Sequence, residues 1–255
     1  MTTIDITLSA PVNLRDLGGI PVAGGTLRPG LAVRADDLSM ITEADAVTLT
    51  ERGLSSVIDL RSSGEVALTG RGPLAGLPVA YHHLPLMADI GEGMPREGLR
   101  AFTHEAMGRM YVRMVEGAAP QLATALTVIA LAPGATAFHC AAGRDRTGVV
   151  AALLLLALGA TDDDIVEDYA RTEPNMSAIN ERMRPVMGVL LGRLGFDLDE
   201  MTALQSGLGE AAMAISMRVL LGELRERHGD PLAPVRAAGL GDETIARLRA
   251  RAVGA

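Results

Sequence analysis

The stretch His139-Cys140-Ala141-Ala142-Gly143-Arg144-Asp145-Arg146-Thr147-Gly148 contains the only cysteine of this 255-residue chain. An apolar segment that reads as a strand, 135–138, comes before it, and an apolar run that reads as a buried helix, 149–158, comes after it. The stretch therefore predicts a strand, a short loop and a helix that begins near Arg146. Because the first N–H groups of a helix have no partner within the helix, they would point at the loop together with the positive end of the helix dipole.

The spacing Cys-x5-Arg lets such a loop fold around one tetrahedral dianion. The thiolate of Cys140 would attack phosphorus and form a phosphocysteine, and the planar guanidinium of Arg146 would bind two equatorial oxygens. The remaining oxygens would meet the backbone N–H groups of the loop residues, which are Ala141, Ala142, Gly143, Arg144, Asp145 and Arg146. The pattern predicts a cysteine-dependent phosphomonoesterase, and this chemistry needs no metal and no cofactor.

Three further residues of the stretch are expected to support the loop. Gly143 allows a backbone conformation that a side chain would hinder. The Thr147 hydroxyl can donate to the Cys140 sulfur and make it a better leaving group in the second step. His139 is interpreted as a hydrogen-bonded residue that fixes the loop rather than as a proton shuttle.

The leaving group needs a proton, so a carboxylic acid is expected on a neighbouring loop. Asp89 is the favoured candidate because it follows a strand candidate at 78–84 and its exit through Pro85. Asp59 and Asp145 are the alternatives. Asp59 is followed by Arg61, which favours an internal salt bridge, and Asp145 would place a carboxylate next to the bound dianion.

Strands alternate with helices along the first part of the chain, and the pattern after residue 159 is helical. This order predicts an α/β fold with a central, mostly parallel sheet flanked by helices, in a single domain over 1–255. The helical segment 176–227 is expected to form a lid or cap within that domain. In parallel sheets ligands bind at the carboxyl ends of the strands, which is where Cys140 falls.

Bulk composition excludes several other classes of function. A net charge of -8 and a pI near 5.2 disfavour a nucleic-acid partner. One cysteine excludes an internal disulfide framework and a cysteine-rich metal site. The longest apolar run, 149–158, is too short for a transmembrane segment, and no signal peptide is visible. A cytoplasmic protein is expected, although signal-free export would leave no trace in the sequence.

The loop motif resembles that of the bacterial tyrosine phosphatase family that includes mycobacterial protein tyrosine phosphatase B. Upstream and downstream segments are similar to that family too, namely 13–19, 27–30, 57–62, Asp168-Tyr169 and 240–243. The resemblance implies activity on phosphotyrosine, phosphoserine or phosphothreonine, or phosphoinositides, a general acid near Asp89, and in some members a helical lid. Arg144 departs from the family, which usually has Lys at this position, and the substitution changes the reach toward a second phosphate.

Two other functions compete with this interpretation. A rhodanese-like sulfurtransferase also carries a cysteine on an anion-binding loop, but His139 and the Thr147-Gly148 continuation argue against it. A catalytically inactive phospho-binding module would require that the general acid be missing. The partner is therefore expected to be a phosphorylated protein or a phosphoinositide, and the sequence leaves the oligomeric state open.

Overall fold

The computed structural model describes residues 7–89, 91, 103–193, 195, 197 and 213–253. Within them a sheet of five strands has the order β1-β4-β7-β5-β6, and β2 and β3 form a separate hairpin. The strands are β1 Arg15–Asp16, β2 Pro21–Val22, β3 Gly25–Thr26, β4 Ala32–Ala35, β5 Leu54–Asp59, β6 Ala80–His83 and β7 Ala135–His139. The strands β4, β7, β5 and β6 are parallel, and β1 is an antiparallel edge strand. The mostly parallel α/β sheet predicted from the sequence is confirmed.

Strand β7 lies at the centre of this sheet and is buried on both faces. Phe138 packs in the larger hydrophobic cluster and its neighbour Ala137 in a smaller one, and both are fully buried. Successive side chains of a strand point to opposite faces, so the sheet separates the two clusters. The chain leaves β7 at its carboxyl end, and this brings Cys140 to the middle of the sheet edge.

Ten helices of at least five residues surround the sheet in the described part of the chain. They are α1 Glu43–Glu51, α2 Ser63–Thr69, α3 His104–Gly117, α4 Ala119–Leu131, α5 Asp145–Leu158, α6 Asp162–Ala170, α7 Met176–Arg193, α8 Met213–His228, α9 Ala233–Ala237 and α10 Asp242–Val253. Helix α5, which follows the loop directly, is buried along almost its whole length in the larger cluster. This packing fixes the N-terminus of α5 beside Cys140.

Local sequence signals explain most of these helix boundaries. The Thr42 hydroxyl accepts from the Asp45 N–H and caps α1. Helix α2 and the two-residue strands were not predicted, because segments this short carry no periodic apolar pattern. Ser62 and Glu65 form a capping box that begins α2.

The predicted lid, 176–227, lies partly outside the described residues, which omit 194, 196 and 198–212. Of its described parts, α7 packs against α2, and α8 packs against α3 and α6. Whether the segment covers the site stays a prediction.

Among the described helices, no single one is both long and apolar enough to cross a membrane. The pair α3 and α4 passes the test of length and composition when taken together, but the two helices meet at an angle of 80°.

Candidate active site

Cys140 lies directly after β7 at the floor of the loop, and its side chain is buried, with 1% of the residue exposed. The Thr147 hydroxyl, in the first turn of α5, donates to the Cys140 Sγ at 3.2 Å. The strand and the helix thus bring together the thiol and the hydroxyl that the sequence paired. A hydroxyl donor at this distance stabilises negative charge on sulfur.

The loop that follows Cys140 is held from its outer side through its carbonyl groups. The outer donors are the Asp37 N–H to Ala141 O at 3.0 Å, Asn13 Nδ2 to Ala142 O at 3.3 Å and to Gly143 O at 3.1 Å, and Arg34 Nη2 to Gly143 O at 2.9 Å. In a trans peptide the N–H points opposite to the C=O. The N–H groups of Ala142, Gly143 and Arg144 therefore point to the inner side, where they form a cradle for an anion.

Gly143 is the residue that lets the loop lie so close to β4. Its φ is +67°, and an added Cβ would lie 2.6 Å from the Ala35 carbonyl oxygen and 2.7 Å from the Asp36 N. The left-handed φ and the backbone contact both exclude a side chain at this position.

Arg146 is held beside the cradle by a buried carboxylate of α2. Its Nη1 and Nη2 donate to the two oxygens of Glu65 at 2.6 and 2.9 Å, and a third donor, the Ser62 N–H, reaches Glu65 Oε2 at 2.7 Å. Burial alone would raise the pKa of Glu65, but the charge and hydrogen bonds of Arg146 lower it. Glu65 therefore stays ionised and fixes the guanidinium plane. The sequence does not indicate this role of Glu65, because a capping box shows only where a helix begins.

Beneath the loop, a buried carboxylate joins one fully buried arginine and one partly buried arginine. Asp168 in α6 accepts from Arg34 Nη1 at 2.5 Å and from Arg15 Nε at 3.0 Å, and Arg15 Nη1 in turn donates to Asn13 Oδ1 at 2.6 Å. Burial and repulsion from Arg34 lower the pKa of Arg15 to about 10, while the Asp168 charge opposes that change. Asp168 thus holds in place two arginines that would otherwise repel each other. No pattern in the sequence indicates a role of these residues in the site.

His139 is fully enclosed between β4 and β5. Its Nδ1 accepts from the Leu38 N–H at 3.3 Å, and its Nε2 lies 3.7 Å from Asp59 Oδ2. Burial lowers the pKa of His139 more than the nearby carboxylates raise it, so the ring is neutral at pH 7. A neutral, enclosed imidazole agrees with the predicted positioning role.

The three candidate acids have different surroundings. Asp59 is fully buried and makes two contacts with the Arg61 guanidinium, at 2.6 and 2.9 Å, while the Tyr81 hydroxyl donates to it at 2.9 Å. Burial alone would raise the pKa of Asp59, but the charge of Arg61 and its hydrogen bonds hold it below its usual range. The expected salt bridge is thus present, and Asp59 holds no proton to donate at neutral pH.

Asp89 is exposed at the end of the segment that follows β6, and its Oδ1 accepts from the Gly91 N–H at 2.6 Å. Asp145 lies within the loop and begins α5. Its Oδ1 accepts from Arg144 Nε at 3.0 Å and from the Tyr111 hydroxyl. Asp89 is thus near solvent, whereas Asp145 is beside the anion cradle.

Arg144 packs against the protein rather than extending from it. Besides its bond to Asp145, it lies 3.9 Å from Met107 Sδ through Nη2, and only 7% of the residue is exposed. The Tyr111 hydroxyl, which also contacts Asp145, lies 2.7 Å from the Tyr169 hydroxyl. The charge of Asp145, which is electrostatically unfavourable beside a dianion, is thereby balanced by Arg144 and a tyrosine donor.

A thiol on a strand–loop–helix unit, under inward N–H groups and beside a fixed guanidinium, defines the cysteine-dependent phosphatases. The chain belongs to the tyrosine phosphatase family, whose model matches residues 6–254.

Three relatives carry phosphatase names. A putative tyrosine-protein phosphatase of Cupriavidus necator is 34% identical over 186 residues, which are 69% of this chain and 66% of the relative. The triple specificity protein phosphatase PtpB of Mycobacterium tuberculosis is 29% identical over 93% of this chain and 95% of its own length. A tyrosine-protein phosphatase of Nostoc commune is 34% identical over 59% of this chain and 51% of its own. The chain thus spans slightly less than two thirds of the first relative, about half of the third and almost all of the second. These likenesses favour phosphatase activity over sulfur transfer.

Proposed function

We propose that this protein hydrolyses phosphate monoesters on proteins, phosphotyrosine foremost, through a phosphocysteine intermediate. The observation that carries the proposal is the loop itself: its carbonyl groups are bonded on the outer side, Cys140 lies at its floor, and Glu65 holds Arg146 beside it. Ala141, Ala142, Gly143, Arg144, Asp145 and Arg146 would supply the backbone donors.

In the first step the Cys140 thiolate attacks phosphorus while the bond from phosphorus to the ester oxygen breaks. A general acid protonates the leaving oxygen, and Arg146 and the backbone donors bind the three equatorial oxygens. In the second step water attacks phosphorus and gives a proton to the carboxylate that the general acid left, the P–S bond breaks, and inorganic phosphate leaves. The Thr147 hydroxyl stabilises the departing thiolate of Cys140.

The packing of Arg144 bears on the substrate class. A guanidinium that is buried against Asp145 and Met107 is not free to bind a second phosphate group. This favours substrates with an isolated phosphate, such as phosphotyrosine and then phosphoserine or phosphothreonine, over phosphoinositides that carry neighbouring phosphates. The names of two relatives, both tyrosine-protein phosphatases, support phosphotyrosine as a substrate.

The first test is a substrate panel with the wild-type protein. We expect hydrolysis of p-nitrophenyl phosphate and of phosphotyrosine peptides, competitive inhibition by vanadate, and at least about tenfold lower kcat/KM on phosphoinositides. Released phosphate is the readout. Sulfur transfer from thiosulfate to cyanide without phosphate release would support the rhodanese-like alternative. Phosphopeptide binding without any turnover would support an inactive binding module.

We assign the general acid to Asp89, with Asp145 as the alternative. Asp89→Asn should lower kcat about 10²-fold on phenyl phosphate, whose leaving group needs a proton, and far less on p-nitrophenyl phosphate. Asp145→Asn serves as the matched comparison and should lower both rates alike. If Asp145→Asn alone shows the leaving-group dependence, the general acid is Asp145. Equal losses on both substrates in Asp89→Asn would assign Asp89 a structural role.

We further propose that the segment 176–227 acts as a helical lid within one domain spanning 1–255.

The net charge of -8 disfavours nucleic-acid partners. A catalytic thiol stays reduced most readily in a reducing compartment, which favours the cytoplasm.

A further inference from the structure

We propose that Arg182, on α7, is a positioning residue for the phosphate-binding loop, so that α7 must be docked for full catalysis. This inference rests on the proposed phosphatase function. Arg182 touches none of the loop residues 140–146 in the contacts that the structure describes. It acts through the segment on which the loop lies.

Arg182 is almost completely buried against that segment, with 5% of its side chain exposed. Its Nη1 donates to Asp36 Oδ2 at 2.5 Å and to the Asp37 carbonyl at 3.1 Å. Its Nε donates to the Ser9 hydroxyl at 2.9 Å. One guanidinium therefore joins α7, the N-terminal segment and the residues that follow β4.

Asp36 passes this contact on to the loop. Its side chain, 1% exposed, accepts from the Asn13 N–H at 3.0 Å through Oδ1. The side-chain amide of Asn13 then donates to the carbonyl oxygens of Ala142 and Gly143. Those two bonds turn the next N–H groups inward. The Arg182–Asp36 pair therefore supports the cradle indirectly, through Asn13.

Backbone packing places residues 35–37 directly against the outer side of the loop. The position of a Cβ on Gly143 is 2.6 Å from the Ala35 oxygen, and the Asp37 N–H donates to Ala141 O. A shift of residues 35–37 would therefore move the loop directly.

Helix α7 also packs on α2, which carries Glu65. Val186 and Leu190 of α7 form a small apolar cluster with Met40, and Leu68 of α2 packs against it. Since Glu65 holds Arg146, α7 supports both the cradle and the guanidinium beside it. A helix that contacts both supports is placed to determine whether the site has its active geometry.

The test compares Arg182→Met, Asp36→Asn and the double variant. Arg182→Met leaves the Asp36 charge buried without its partner, so residues 35–37 should rearrange. As a result, kcat on p-nitrophenyl phosphate should fall about tenfold to 10²-fold. KM should change less than about threefold, and vanadate should bind more weakly by a factor similar to the loss in kcat. The double variant should recover most of the loss, because a neutral amide needs no counter-charge and its oxygen can still accept from the Asn13 N–H.

Arg225→Met is the matched control. Arg225 pairs with Asp162 at 2.5 Å and also joins two helices, α8 and α6, but this pair is about 40% exposed and, among the described residues, makes no bond to the loop. Its kcat should equal that of the wild type. All rates are measured well below the unfolding midpoint of each variant and are normalised to folded protein.

Three outcomes decide the proposal. Wild-type kcat and vanadate affinity in folded Arg182→Met would overturn it. A fall in kcat that merely follows the folded fraction of Arg182→Met would also overturn it, if Arg225→Met shows the same fall at equal stability. Arg182 would then contribute to stability alone. An inactive wild-type protein would instead contradict the phosphatase function itself. In that case, unchanged phosphate affinity in Arg182→Met would separately overturn the positioning role.

Discussion

Cys140→Ser is expected to abolish turnover, with kcat lowered roughly 10³-fold or more. A serine hydroxyl is not ionised at neutral pH, and the Thr147 hydroxyl that contacts the sulfur acts as a donor, so it cannot serve as a base. The backbone donors and Arg146 are unaffected by the substitution. Phosphate and phosphopeptide affinity should therefore persist while hydrolysis stops.

The measurement combines p-nitrophenyl phosphate turnover with acid quenching and mass spectrometry of the intact protein. The wild type should accumulate one covalent phosphate, which the variant should lack. Circular dichroism provides the control that the variant is folded. Turnover above about one tenth of the wild-type rate would exclude Cys140 as the nucleophile.

Asp168→Ala is expected to cause the largest loss of stability, about 3–5 kcal/mol in the free energy of unfolding. It leaves the fully buried Arg34, which is 0% exposed, beside the partly buried Arg15 without their shared carboxylate. Uncompensated buried charge is costly, and a typical domain has only about 5–15 kcal/mol of total stability. Urea denaturation followed by circular dichroism measures the change.

The matched control is Asp163→Ala in the same helix. Asp163 pairs with Arg218 at 3.0 Å, but its side chain is 83% exposed. Exposed pairs contribute about 0–1 kcal/mol, so this variant should be close to wild type. Equal effects of the two substitutions would contradict a special role for the buried carboxylate.

The same carboxylate makes a contribution that depends on pH. Burial would raise the pKa of Asp168, but the charges of Arg34 and Arg15 hold it below its ordinary value. A carboxyl with a lowered folded-state pKa stabilises the fold above its unfolded pKa of about 3.9, and this contribution disappears as the pH falls through the folded value. The stability difference between wild type and Asp168→Ala should therefore be constant near neutrality and shrink below about pH 4.

What the sequence predicted correctly depended on short-range patterns. The strand before Cys140 and the helix from Asp145 follow from adjacent apolar runs, and the Thr147 contact follows from one loop motif. The Asp59–Arg61 salt bridge was also predictable, because its partners are two residues apart. Each of these inferences needs only neighbouring residues.

The support of the loop was not predictable in the same way. Asn13, Arg34 and Glu65 meet the loop only after the sheet has formed, and no spacing in the sequence indicates those contacts. Asp168 belongs to a segment that resembles the family, but no pattern in the local sequence connects it with Arg15 or Arg34. Buried polar networks that join distant elements require three-dimensional information.

The outward bonds of the loop span large distances along the chain. Asn13 and Gly143 are 130 residues apart, and Arg34 and Gly143 are 109 apart. Contacts at such separation form late in folding, because the intervening chain must be ordered before they can be made. The N-terminal segment is therefore the last component that the catalytic centre requires, and the central strand, loop and helix can fold before the loop acquires its active geometry. On refolding, we therefore expect activity to return later than the secondary structure of the sheet.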